Sequence, residues 1–157
     1  MENIFRALRR VVEEKPDVKA LYPIHMNPRV REIASRVLDG EDRIRMIEPM
    51  EVLDFHNMMD QSHLILTDSG GIQEEAPSLG KPVLVARNTT ERPEGVAAGT
   101  LRLVGTNEDS LHSALTTLLE DDAEYAAMAQ ANNPYGDGFA SRRVADLLAL
   151  SARRHKK

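Results

Sequence analysis

The sequence has no cysteine and no tryptophan, and aromatic residues make up only 4% of it. Without cysteine there is no disulfide, no thiolate metal site and no Cys nucleophile, which fits a reducing cytoplasm. With so few rings, the core must be built mainly from Leu, Val, Ile, Ala and Met. No apolar run approaches the roughly 20 residues that a membrane helix needs. The N-terminus, Met1-Glu2-Asn3-Ile4-Phe5-Arg6, has no apolar signal core either. The expectation is a soluble, cytoplasmic protein with no membrane partner. A basic excess is also missing, since the formal net charge is −5. Two local basic clusters exist, Arg9 with Arg10 and the run Arg153 to Lys157. With the overall balance acidic they leave no nucleic-acid footprint, and the basic tail reads as a solvated helix end. The five histidines show no HExxH-like spacing, so no metal site is expected.

What is present is a chain of 157 residues, enough for one domain with a real core. Its apolar pattern alternates between helix and strand periods. Ile4, Leu8, Val11 and Val12 fall on one helical stripe. Short apolar segments near residues 18–24, 43–47, 63–67, 82–86 and 101–104 read as strands. Helices are expected from Pro28 to about Val37, from Val52 to Met59, and from the Ser69-Gly70-Gly71 turn to about Leu79. Three more should cover residues 108–119, 123–131 and 140–152, while Arg87 to Thr100 reads as a long polar loop. Short apolar strands separated by helices are the mark of parallel βαβ units. The expected fold is an α/β doubly wound parallel sheet, Rossmann-like, whose ligand sits at the carboxyl ends of the strands. Because the chain opens on a helix, the strand that usually starts such a unit is expected to be missing. That should leave a gap in the sheet or draw in an added partner strand.

The strongest local signal is Leu64 to Glu75, where an apolar strand runs into Ser69-Gly70-Gly71 and then a helix. Glycines let the backbone approach a ligand with no Cβ in the way, and a helix N-terminus offers unpaired N–H groups to a phosphate. Ser69 can cap that helix or give its hydroxyl to the same phosphate, and the pattern leaves both open. Glu74 and Glu75 are expected in the first turn, one serving the helix dipole and the other able to reach ligand hydroxyls. Periodicity does not choose between them. The loop Arg87 to Glu94 is crowded with donors, and Arg92 suits a diphosphate, although a solvated loop with paired charges fits the same residues. His25 ends the first strand, where it can serve as acid, base or anion partner, or simply bond to a neighbouring turn. His56 and His63 read as ordinary. Phe55 is either core or a stacking surface for a flat base.

Beyond these patterns, the run TDSGGIQEEAPSLGKPVLVARNTTERPEGVAAGTLRLVGT (Thr67 to Thr106) closely resembles the non-hydrolysing bacterial UDP-N-acetylglucosamine 2-epimerases. So do YPIHMNPRVRE (Tyr22 to Glu32), EPMEVLDFHNMM (Glu48 to Met59) and NPYGDG (Asn133 to Gly138). The resemblance covers nearly the whole chain. It implies the C-terminal half of a two-domain, GT-B-like enzyme that binds UDP-sugar between its halves. Such an enzyme interconverts UDP-N-acetylglucosamine and UDP-N-acetylmannosamine by eliminating and re-adding UDP, with no cofactor. Carried over, Ser69, Gly70 and Gly71 would hold the diphosphate and Glu75 the ribose hydroxyls. Arg92 would lie near the phosphates, Phe55 and the backbone around Met50 would frame the uracil, and His25 would meet a second, regulatory UDP-sugar. The family's GHRRE segment and its acid and base are not in this sequence. The expectation is therefore one UDP-binding domain over residues 1–157, lacking its N-terminal domain and inactive alone, with a homodimer expected for the full enzyme. A UDP-binding module without turnover and a glycosyltransferase-like relative are the alternatives, and the TERPE loop after SGGIQEE argues against the second.

Overall fold

The first helix shows most directly how this sequence becomes a fold. In a computed structural model that describes residues 1–154, α1 (Glu2–Glu14) buries Ile4, Phe5, Ala7, Val11 and Val12 on one stripe. Its outer face carries the i,i+4 pairs Glu2–Arg6, Arg9–Glu13 and Arg10–Glu14, at 2.7, 2.7 and 2.9 Å. The chain then alternates: β1 (Ala20–Pro23), α2 (Pro28–Leu38), β2 (Ile44–Ile47), α3 (Val52–Gln61), β3 (Ile65–Thr67) and α4 (Gly70–Glu75). A 3-10 turn (Ala76–Leu79) leads to β4 (Val83–Val85), α5 (Pro93–Ala98), β5 (Leu101–Leu103), α6 (Glu108–Glu120), α7 (Asp122–Ala129) and α8 (Ala140–Arg154). Starts are set by capping chemistry. Asn27 accepts from the Arg29 amide with Pro28 next in line, Asn107 accepts from Ser110, and Asp121 accepts from Ala123 and Glu124.

All five strands lie inside their predicted spans and every ladder is parallel. Ala20 to Pro23 pair with Ile44 to Ile47, while Ile65 to Thr67 pair with Val83 to Val85, which pair in turn with Leu101 to Leu103. The sheet is in two parts. Among the described residues no ladder joins β1–β2 to β3–β4–β5, so the expected gap is there and its two rims, β1 and β3, each have one unpaired edge. Strand β4 is fully buried, whereas the other four strands are only partly so. Along β4 the side chains alternate between faces: Leu84 joins Val11, Leu115, Leu118 and Met128, and Val83 and Val85 join Met59, Ala76 and Leu101.

Helix α1 ties the two parts together. Phe5 and Val12 pack with Ile24, Ala34, Leu38 and Ile44 on the β1–β2 side. Val11 packs beside Leu84, and Ile4 and Ala7 beside Ala86 and Leu111, on the β3–β4–β5 side. Asn3 Nδ2 donates to the Thr106 carbonyl at 3.2 Å, which fixes the start of α1 at the carboxyl edge of the strands.

Two expectations need correction. Residues 93–98, read as loop, form α5: Pro93 opens it and Gly99, at φ +84, closes it in the left-handed region. The helix expected through Leu79 is α only to Glu75, because Pro77 forces the tighter 3-10 turn that Gly80 ends at φ +67. Of the basic tail, residues 155–157 lie outside the described residues.

Candidate functional site

At the carboxyl edge, β3 delivers Asp68 and Ser69 into the start of α4, and β4 delivers the segment Arg87 to Arg92. Ser69 occupies the N-cap position (φ −82, ψ 136), yet its side chain makes no capping hydrogen bond. Of the two readings of Ser69, the plain cap is not realised. Gly70 and Gly71 do not have positive φ, so their value is the absence of a side chain rather than left-handed freedom. A Cβ on Gly70 would stand 2.8 Å from Glu91 Oε1, and one on Gly71 would meet only Glu75 Oε1 at 3.7 Å.

Gln73, which the sequence did not single out, organises this corner. It is fully buried. Its Nε2 donates to the Ser69 carbonyl at 3.0 Å, while its Oε1 accepts from Thr90 Oγ1 at 2.5 Å. Thr90 Oγ1 accepts in turn from the Arg92 amide at 3.0 Å. One amide side chain thus fastens the Ser69 turn to the loop that carries Arg92. A glutamine in a helix ordinarily reads as surface; its burial between the Ser69 carbonyl and Thr90 is a tertiary fact. Gln73→Leu should lower stability by roughly 1–3 kcal/mol through the buried groups left unpaired, read as a drop in the urea midpoint. An unchanged midpoint would show that the tether contributes nothing.

The glutamates depart from expectation. The first turn of α4 contains no acidic residue, so neither Glu74 nor Glu75 serves the helix dipole there. Glu74 instead pairs with Arg92 Nε, and that hydrogen bond is the main cause of the raised Arg92 pKa. Arg92 Nη1 also donates to the Glu91 carbonyl at 3.1 Å. Glu91 pairs with Arg87 at 2.7 Å; its own backbone amide first, and Arg87 second, hold its carboxyl below the usual range. The charges of this loop are therefore largely paired, as the bland reading had it, but Arg92 is paired across to α4.

Glu75 turns the other way, toward α3, where His56 Nε2 lies 3.0 Å from its Oε2. Phe55, beside His56, is half-buried against the cluster of Met59, Ala76 and Val83 that also packs Ile72 of α4. Ser69, Gly70, Gly71, Glu75, Arg92 and Phe55 thus belong to one corner. Met50 is exposed in the loop before α3. His25 is exposed beyond β1, and its Nδ1 accepts from the Asn27 amide at 3.0 Å, the neighbouring-turn bond anticipated for it. Among the described residues no hydrogen bond or ion pair joins either residue to the Ser69 corner. Burial first, and the Asp68 charge further, push the Tyr22 hydroxyl's pKa up, against a backbone hydrogen bond at His25 that lowers it.

Tyr135, in the NPYGDG run, is a second residue the sequence did not assign. A Cβ on Gly95 would lie 2.3 Å from its hydroxyl, so glycine is what lets that ring close over α5. Burial, then Glu94 and Glu74, push the Tyr135 pKa up.

Comparison with known proteins puts this arrangement in context. The family model for UDP-N-acetylglucosamine 2-epimerase matches residues 1–149. The chain is 60% identical over 148 residues to the UDP-N-acetylglucosamine 2-epimerase of Bacillus subtilis (strain 168), covering 94% of this chain and 39% of that protein. The structure of S. aureus MnaA with UDP matches at TM-score 0.91 and 53% identity, over 97% of this chain and 42% of that one. The UDP-GlcNAc 2-epimerase from Neisseria meningitidis bound to UDP-GlcNAc matches at TM-score 0.89 and 46% identity, over 94% and 40%. The chain therefore spans about 39% of the length of its first relative. With the match running from Met1 into helix α8, the chain belongs to the UDP-N-acetylglucosamine 2-epimerase family.

Proposed function

We propose that this chain is the UDP-binding half of a UDP-N-acetylglucosamine 2-epimerase, and that it holds the leaving group of that reaction without performing it. The observation that carries the reading is the uncapped, glycine-lined start of α4 beneath a loop fastened to it by Gln73. Backbone N–H groups with no side-chain partner, an unused Ser69 hydroxyl and two missing Cβ atoms suit a diphosphate. Arg92 is held at the same corner and can turn its fork to phosphate oxygens when Glu74 releases it. Glu75 takes the ribose hydroxyls, Phe55 and the backbone at Met50 frame the uracil, and His25 meets a second UDP-sugar. The assignment is supported by the S. aureus relative with UDP, which is 53% identical.

In the whole enzyme the sugar would lose UDP by elimination and regain it on the other face. That needs a base and an acid at C2, and the family's residues for both belong to the part of the relatives this chain does not span. Calorimetry should register UDP binding to the purified chain, weakened about tenfold by Glu75→Ala through lost ribose hydrogen bonds. Incubation with UDP-N-acetylglucosamine should give no UDP-N-acetylmannosamine. Turnover by the chain alone would overturn the placement of the acid and base, and absence of UDP binding would overturn the site.

A further inference from the structure

We infer that His56 is a positioning residue for the ribose-binding carboxylate: it anchors one oxygen of Glu75 so that the other is aimed at the Gly71 turn. The inference rests on the reading of Glu75 as the ribose ligand and adds a residue to it. Three observations carry it. His56 Nε2 lies 3.0 Å from Glu75 Oε2 between two helices, the residues being 19 positions apart in sequence; a carboxylate only accepts, so the ring nitrogen donates. The other oxygen, Oε1, is the nearest atom to where a Gly71 Cβ would stand, at 3.7 Å. It therefore faces the turn that would carry the diphosphate, where the adjoining ribose must lie. Neighbouring Glu74 is drawn off to Arg92, so of the two α4 glutamates Glu75 is the one directed this way.

The physical need for such an anchor is plain. Glu75 is 47% exposed at its side chain, and an unrestrained glutamate there would sample many rotamers and lose them on binding. His56 supplies the restraint from α3, a helix fixed to the core by buried Met59. A hydrogen bond that selects the productive rotamer before the ligand arrives raises affinity without touching the ligand.

The test is calorimetry on the full chain with two ligands, UDP and 2′,3′-dideoxy-UDP, which lacks the hydroxyls in question. His56→Ala should weaken UDP about 3- to 10-fold and leave dideoxy-UDP unchanged. His56→Gln, whose amide nitrogen reaches the same point, should restore UDP affinity. In a Glu75→Ala background, His56→Ala should have no further effect on either ligand. If Glu75→Ala weakens both ligands equally, the ribose assignment fails and this inference with it. If Glu75→Ala discriminates between them but His56→Ala is silent, or weakens both, the ribose assignment stands and the positioning role is overturned. Circular dichroism of each variant separates loss of fold from loss of aim.

Discussion

Phe5→Ala should destabilise the domain by roughly 3–5 kcal/mol, a large share of the 5–15 kcal/mol that typically separates folded from unfolded chains. Phe5 is 3% exposed and meets Tyr22 with ring centroids 5.3 Å apart, so truncation removes both buried area and an aromatic contact. The position makes the cost more than a cavity. Among the described residues no backbone ladder connects β1–β2 to the other three strands, and the side chains of α1 pack against both parts. Val11 and Val12, adjacent in sequence and both buried, face opposite parts of the sheet. Phe5 is the largest α1 side chain on the β1–β2 side. Urea denaturation should show the loss, and amide exchange should show β1 and β2 opening before β4. A stability change below about 1 kcal/mol, or uniform exchange in all strands, would mean that α1 is not what joins them.

The sheet was legible in the sequence because its strands are short apolar runs set between turn signals. Val83-Leu84-Val85 is the clearest case: burial on both faces leaves no polar alternation to confuse the reading. Helix α5 was not legible, because Glu94 and its exposed neighbours have no apolar stripe; only Pro93 and Gly99 mark its ends. The site residues divide in the same way. The Ser69-Gly70-Gly71 turn is a local pattern and was found, and the negative φ of both glycines leaves the missing Cβ as the reason for them. What Glu74, Glu75 and Gln73 touch depends on residues 17 to 19 positions away, and no periodicity reports that. His56 read as ordinary for the same reason, since nothing within α3 distinguishes it.

Substituting the two glycines should separate binding from folding. A Val at Gly70 places its Cβ against the tip of Glu91, at 2.8 Å. That tip is the end of a flexible, exposed side chain held by its own backbone amide and by Arg87, so Glu91 can swing away and the fold survives. At Gly71 the nearest atom is 3.7 Å off, an ordinary contact, and the backbone is not in the left-handed region. Gly71→Ala should therefore keep or raise stability by about 0.4–1 kcal/mol, because alanine restricts the unfolded chain and suits a helix. Binding should move in the opposite direction. If the diphosphate rests on this turn, a Cβ at either position fills its place. UDP affinity should fall by on the order of 100-fold in Gly70→Val, equivalent to about 2.7 kcal/mol, and measurably in Gly71→Ala. Thermal melts together with UDP calorimetry on both variants make the comparison. A Gly71→Ala chain that melts at or above the wild-type temperature but binds UDP poorly is what a glycine kept for the ligand predicts. If instead both variants bind UDP as tightly as the wild type, the diphosphate lies elsewhere, and Ser69-Gly70-Gly71 is only the entry to a short helix.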